Sequence, residues 1–260
     1  MKLLKISLCA AVAIAAMAGA SAASAEEMPN FTAAYNVGAA TEYVFRGIDQ
    51  SPTGAGTPQV FGGIDTTLLK GQFYLGNWDS TTGPSGDNGF EYDLYGGWKP
   101  ALGPVTFDLG FYYYGYIKSK TGFVTPKANT LEWKAGASTA VGSNTFGIVT
   151  YYSADNNGLE LLTLSPKKVT SWYTEADYSY TFKNKLSFSA AYGYTYGKSS
   201  GIASGHYSTW NAGVTYPITD HVSLDARYIG SGDASIAGTS VPIGAYSGFN
   251  GGVATVKVSF

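Results

Sequence analysis

Val105–Tyr116 reads VTFDLGFYYYGY. Val105, Phe107, Leu109, Phe111 and Tyr113 fall on one face of an extended chain. Thr106, Asp108, Gly110, Tyr112 and Tyr114 fall on the other. A period of two belongs to a β-strand, whose successive side chains point to opposite faces. The same rhythm recurs in SWYTEADYSYTF, where Trp172, Ala176, Tyr178, Tyr180 and Phe182 oppose Glu175, Asp177, Ser179 and Thr181. In HVSLDARYIG, Val222, Leu224, Ala226 and Tyr228 oppose Ser223, Asp225 and Arg227.

Working outward from these segments, twelve runs read as strands. They lie near 32–46, 57–68, 71–79, 89–98, 103–116, 130–140, 144–153, 170–182, 186–197, 207–216, 221–231 and 251–260. In the run QFYLGNWD the pattern does not say which face points out. Five connections (LKG, KPALG, VGSN, KNK and PITDH) are short and carry Gly, Pro, Asn or Asp, the residues of tight turns. The other six are longer and rich in Gly, Ser, Thr, Asn and Pro. An even number of strands, with short turns at one end and long loops at the other, is the pattern of an outer-membrane barrel. The expected fold is therefore all-β: a transmembrane antiparallel up-and-down β-barrel of about 12 strands, with both termini on the short-turn side.

Composition points the same way. Only 13% of residues are charged, beside Gly 34 and Tyr 21, where a soluble domain carries about 25% charged residues. Charge alone cannot cover the outside of this protein. A soluble sandwich of antiparallel strands would alternate too. The aromatic residues favour the barrel, because Trp78, Trp98, Trp133, Trp172 and Trp210 sit toward strand ends, where interfacial girdles form.

Residues 1–25 read as a secretory signal peptide. Lys2 and Lys5 precede a small, apolar stretch, and Ala23-Ser24-Ala25 offers a cleavage site. Residues 26–260 then form a single barrel domain without a linker. Cys9, the one cysteine, lies in the leader, too early for a lipoprotein signal. Neither a disulfide nor a thiolate metal site is expected of the mature chain, and no cofactor. Without Lys2 and Lys5, 14 basic residues face 18 acidic ones, which argues against nucleic-acid binding. No segment after the leader holds 18 consecutive apolar residues, so a spanning helix is not expected.

The chain ends GGVATVKVSF, with Ala254, Val256, Val258 and Phe260 on one face. Closure of a barrel pairs the last strand with the first and leaves no edge to fray. This ending, Val256, Val258 and a terminal Phe260, resembles the C-terminal signature of bacterial outer-membrane proteins. That resemblance implies recognition by the barrel-assembly machinery during insertion.

Near the N-terminus, Glu42-Tyr43-Val44-Phe45-Arg46-Gly47-Ile48 is followed by Gly62-Gly63-Ile64-Asp65 and by Gly71, Phe73, Tyr74, Gly76 and Trp78. These blocks resemble the opening of the TorF-type porins, and the hairpin rhythm and Phe260 extend the likeness over most of the chain. The resemblance implies an outer-membrane location and a channel. It supplies no substrate.

Alternation places Glu42, Arg46, Asp65, Glu91, Asp93, Asp108, Glu132, Lys134, Glu175, Asp177, Asp225, Arg227 and Lys257 inside as pore-lining residues. Charged groups cannot face lipid cheaply near the midplane. Two readings stay open: these charges line an aqueous path that slightly favours cations, or they pair into a network that fills the lumen. Glu132 with Lys134, and Asp225 with Arg227, are two apart on one face and can brace strands. Inward Tyr112 and Tyr114 are candidate constrictions. Arg46 could hold an anionic solute group, or pair with Glu42 or a loop carbonyl.

Catalysis has little support. His206, read as a loop residue, and His221, in a turn, lie at opposite ends and cannot share a site; a hydrolase would need a base within hydrogen-bond reach of its nucleophile. Gly197-Lys198-Ser199 lacks the glycine and helix of a phosphate loop. Asp155-Asn156-Asn157-Gly158 lacks calcium-loop spacing. The expected function is passive diffusion of small hydrophilic solutes or ions through the outer membrane. The alternative is a non-conducting barrel whose long loops bind a partner. Outer-membrane lipid is the expected surround, and the oligomeric state is open.

Overall fold

Twelve strands form the wall in the computed structural model, which describes residues 30–51, 56–82, 89–117, 129–156, 168–199, 204–236, 239–241 and 248–260. The leader reading of residues 1–25 lies outside the described residues, as do parts of the longer loops. The strands are β1 (Phe31–Ala40), β2 (Gln59–Leu68), β3 (Phe73–Thr82), β4 (Gly89–Trp98), β5 (Val105–Ile117) and β6 (Thr130–Val141). They continue with β7 (Asn144–Ser153), β8 (Val169–Thr181), β9 (Ser187–Ser199), β10 (Ser204–Pro217), β11 (Val222–Ser231) and β12 (Asn250–Ser259). Among the described residues there is no helix.

Each strand pairs antiparallel with its sequence neighbours, and β12 pairs with β1, so the sheet closes. The closing register sets Val37 opposite Val258 and Ala39 opposite Val256. Beyond it, Tyr35 and Phe260 exchange backbone hydrogen bonds in both directions at 2.9 Å. The terminal strand is therefore held on both edges, and the Phe260 ring stacks on His221 at 5.1 Å.

Alternation sorts the side chains as a membrane barrel requires. Leu75, Leu94, Leu109, Leu131, Ile148, Leu224 and Val256 stand exposed on the outer face. Trp98, Trp133, Trp172 and Trp210 face outward among them. Ring pairs such as Tyr152–Trp172 (5.0 Å) and Trp210–Tyr228 (5.5 Å) join neighbouring strands at the level of the girdle.

Four details differ from the sequence reading. In β3 the face is now settled: Phe73 and Leu75 point out, while Trp78 points in and is buried. Trp78 is thus a packed interior residue, not a girdle residue. His206 lies on β10 rather than in a loop, and stacks on Tyr194 at 5.6 Å.

The fourth difference concerns the first run. The wall strand stops at Ala40, and the chain turns inward. Val44–Phe45 pairs with Ile48–Asp49 in a small separate ribbon, joined by Arg46-Gly47. Both turn residues have positive φ, 48° at Arg46 and 76° at Gly47. A two-residue turn of that hand matches the twist of a hairpin. The local signal was Tyr43-Val44-Phe45, three bulky apolar residues in a row. A strand with one lumen face would alternate there; a ribbon enclosed on both faces need not.

Candidate functional site

The Thr41–Ser51 hairpin packs inside the barrel, against inward side chains of the wall. On the long-loop side, Tyr43 and Val44 are fully enclosed and pack with Trp78, Tyr114, Tyr151, Tyr173, Ile229 and Val253 in one apolar cluster. The hairpin base is tied by Glu42, which accepts hydrogen bonds from Ser51 Oγ (2.9 Å) and Gly56 N–H (2.6 Å). Gln50 N–H donates to Tyr43 O at 2.7 Å, and Thr82 Oγ1 donates to Gln50 O at 3.0 Å. Tyr43 OH reaches the wall at Glu91 (2.8 Å).

The hairpin tip folds back toward the wall beside β12, the strand that pairs with β1. Gly47 O accepts hydrogen bonds from Ser231 Oγ and from Phe249 N–H. A side chain at position 47 would stand 2.2 Å from Ser231 Oγ and 2.7 Å from Thr209 Oγ1. Glycine is needed here twice, for the positive φ and for the close approach.

Arg46 points the other way, into β6, β7 and β8. Nη1 and Nη2 donate to the two oxygens of Glu132 at 2.7 and 2.6 Å. The guanidinium also sits over the rings of Tyr173 (4.2 Å) and Tyr151 (4.9 Å), and over its own neighbour Phe45 (4.7 Å). A forked pair of this kind is geometrically specific and strong. The hairpin lies outside the membrane-spanning strands, so Arg46 is a loop residue. Burial alone would lower its pKa. The Glu132 charge and hydrogen bonds more than offset this and hold it above the ordinary arginine value.

The short-turn half is different. Asp65, Asp108, Lys134, Asp177 and Lys257 face inward there and are only half-buried. Lys134 bridges Asp108 across β5 and β6. On β11, Arg227 pairs with Asp225 at 2.9 Å and donates to Asn211 on β10 (2.6 Å) and Ser189 on β9 (3.2 Å). This cluster is part of the wall.

All of the wall residues expected inside do face inward: Asp65, Glu91, Asp93, Asp108, Glu132, Lys134, Glu175, Asp177, Asp225, Arg227 and Lys257. Glu42 and Arg46 are corrected: they stand on the inserted hairpin, because the chain leaves the wall after Ala40. Arg46 pairs with Glu132 rather than with Glu42 or a loop carbonyl. Glu132 and Lys134 do not pair with each other; each finds a partner elsewhere. Tyr112 and Tyr114 point in, stacked at 5.2 Å.

Sequence reasoning named Tyr112 and Tyr114 as constrictions but passed over the other inward tyrosines and their bonds to carboxylates. Tyr74 OH donates to Asp108 (2.7 Å), Tyr95 to Asp65 (2.6 Å), Tyr114 to Glu132 (3.1 Å) and Tyr173 to Glu175 (2.6 Å). Alternation held the signal, since Tyr173 shares its face with Glu175, and Tyr95 shares its face with Glu91 and Asp93. Among the described residues no three His, Cys, Asp or Glu side chains cluster as a metal site.

Solved structures with similar barrels are outer-membrane proteins. The chain is similar to an outer-membrane channel from Pseudomonas putida F1, with a TM-score of 0.54 and 9% identity over 91% of this chain and 97% of that one. It is similar to the NanC porin, with a TM-score of 0.53 and 10% identity over 88% and 99% of the two chains. For the KdgM porin the TM-score is 0.50, at 9% identity over 87% and 99%. Identities this low show the fold alone, a porin-like outer-membrane barrel. No curated protein matches the sequence. The model of a bacterial family of unknown function, Gcw_chp, matches residues 23–260, and with nearly the whole chain covered, the protein belongs to that family.

Proposed function

We propose that this chain is an outer-membrane channel of TorF type, exported by residues 1–25, which passes small hydrophilic solutes or ions passively with a weak preference for cations. The arrangement described above is then its closed state. One observation carries this reading: a hairpin packs inside the long-loop half, while the wall around it is a complete twelve-stranded barrel. Barrels of eight strands are filled by wall side chains, and those of sixteen leave a channel. A twelve-stranded wall has room that its own side chains do not fill, and here a loop fills it. Such an obstruction can leave without breaking the barrel. No covalent step is involved, so the relevant residues set pore size and charge.

A second reading rests on the same half. Tyr43, Val44 and Trp78 pack as a soluble core does, which suits a non-conducting barrel whose long loops bind a partner. Single-channel conductance separates the two. Folded wild-type protein should conduct rarely, in discrete steps with a cation-leaning reversal potential. Replacing residues 43–51 by a short Gly/Ser link should give frequent, larger steps. Folded barrels without the hairpin that still do not conduct would exclude the channel.

A further inference from the structure

We propose that the cage around Arg46 is a binding site for a guanidinium-bearing solute, and that Arg46 is a tethered stand-in for it. This rests on the reading of the hairpin as a movable obstruction. Glu132, Tyr151 and Tyr173 belong to three adjacent wall strands, β6, β7 and β8. The cage therefore stays in place when the hairpin leaves. What remains is a carboxylate with two oxygens aimed into the lumen and two aromatic faces beside it. Tyr114 OH donates to Glu132 at 3.1 Å and steadies it.

The chemistry selects a flat, delocalised cation. Two parallel N–H groups match the two oxygens of Glu132 at 2.7 and 2.6 Å, a fit that a spherical ammonium or metal ion cannot reproduce. The ring faces of Tyr173 and Tyr151, at 4.2 and 4.9 Å, attract the same plane.

Withdrawal of Arg46 leaves Glu132 without the cation that contacts both of its oxygens, and a buried carboxylate that loses its cation calls for a replacement.

A tethered ligand competes at an effective concentration on the order of millimolar, so wild-type protein should bind methylguanidinium only weakly. The experiment is isothermal titration of methylguanidinium into folded, detergent-solubilised barrels. Arg46→Ala should bind at least ten-fold more tightly than wild type, because the competitor is gone. Methylammonium should bind at least ten-fold more weakly than methylguanidinium. Adding Glu132→Gln to Arg46→Ala should abolish the gain. If Arg46→Ala does not fold, Arg46→Gln, which keeps the length of the side chain but not its charge, takes its place. Equal affinity in wild type and variant, or a gain that survives Glu132→Gln, overturns the site. Binding is read without ion flux: a barrel that binds but never conducts keeps the site and loses the channel, whereas one that conducts without binding loses only the site.

Discussion

The lumen holds two buried arginines, each paired with a carboxylate, and they do different work. Arg227 and Asp225 lie two residues apart on β11, and Arg227 extends to Asn211 and Ser189. All four side chains belong to β9, β10 and β11, so the cluster staples adjacent parts of the wall. Arg46 and Glu132 are 86 residues apart. One side of that pair is wall, and the other is a hairpin attached at its base. A buried ion pair within the wall ties neighbouring strands and is costly to break on one side; a similar pair between wall and loop decides where the loop sits. The same chemistry becomes bracing or latching according to what its two ends are tied to.

Four experiments test that contrast, in falling order of effect. Arg46→Ala strands Glu132 without its cation, and breaking one side of a buried pair costs about 3–5 kcal/mol. The seated hairpin should lose more than about a hundred-fold of its preference. Open probability in planar bilayers should rise accordingly, while the unfolding midpoint of the barrel should hardly change. An unaltered open probability would mean that Arg46 is no latch.

Arg227→Ala should show the converse. Asp225 keeps Thr215 Oγ1 as a donor at 2.7 Å, so the loss should fall near the lower end of that range, about 3 kcal/mol. It should appear in urea unfolding of the barrel, with gating unchanged. If gating shifts as much as it does in Arg46→Ala, the distinction between staple and latch fails.

Gly47→Ala forces a side chain against Ser231 and Thr209 and into a positive φ. A strained backbone position costs of order 1–3 kcal/mol. The tip should lift from Ser231 and Phe249, making the hairpin more sensitive to protease in folded vesicles. Unchanged protection would show that the tip contact is dispensable.

The smallest effect belongs to Asp108→Asn. Its pair with Lys134 is partly exposed, with side-chain exposures of 20% and 14%, so the effect on stability should be within about 1 kcal/mol. The reversal potential should move toward anions, even in mostly closed channels, because the residue lies in the accessible half. Glu175→Gln, under the hairpin, should shift it only when combined with Arg46→Ala. A shift from Glu175→Gln alone would place the conducting path elsewhere.

Strand after strand could be read from alternation, because a membrane wall imposes a period of two on each segment independently. Asp108 and Asp225 were placed inside on that ground alone, and they are. The same rule failed at Glu42 and Arg46, where it extended β1 past Ala40. Tyr43, Val44 and Phe45 are all apolar, and their burial is decided by Trp78, Tyr114 and Tyr173, which lie far along the chain. Trp78 was misplaced for a related reason: a tryptophan near a strand end suits a girdle or a packed interior, and only its neighbours choose between them. His206 was read as a loop residue because Ser204-Gly205 suggests a turn, yet pairing with β9 carries the strand through it.

Short-range periodicity in a two-sided solvent was enough for a closed antiparallel barrel, its exterior and the inward charges of its wall strands, though not for Glu42 and Arg46. Which charges meet was fixed only by the packing of distant segments. Lys134 with Asp108, Arg46 with Glu132, and Tyr95 with Asp65 are partners across strands, set by register and by the path of one loop. Periodicity assigns a side chain to a face, but a hydrogen bond between distant segments needs a position, and position is a property of the whole closed sheet.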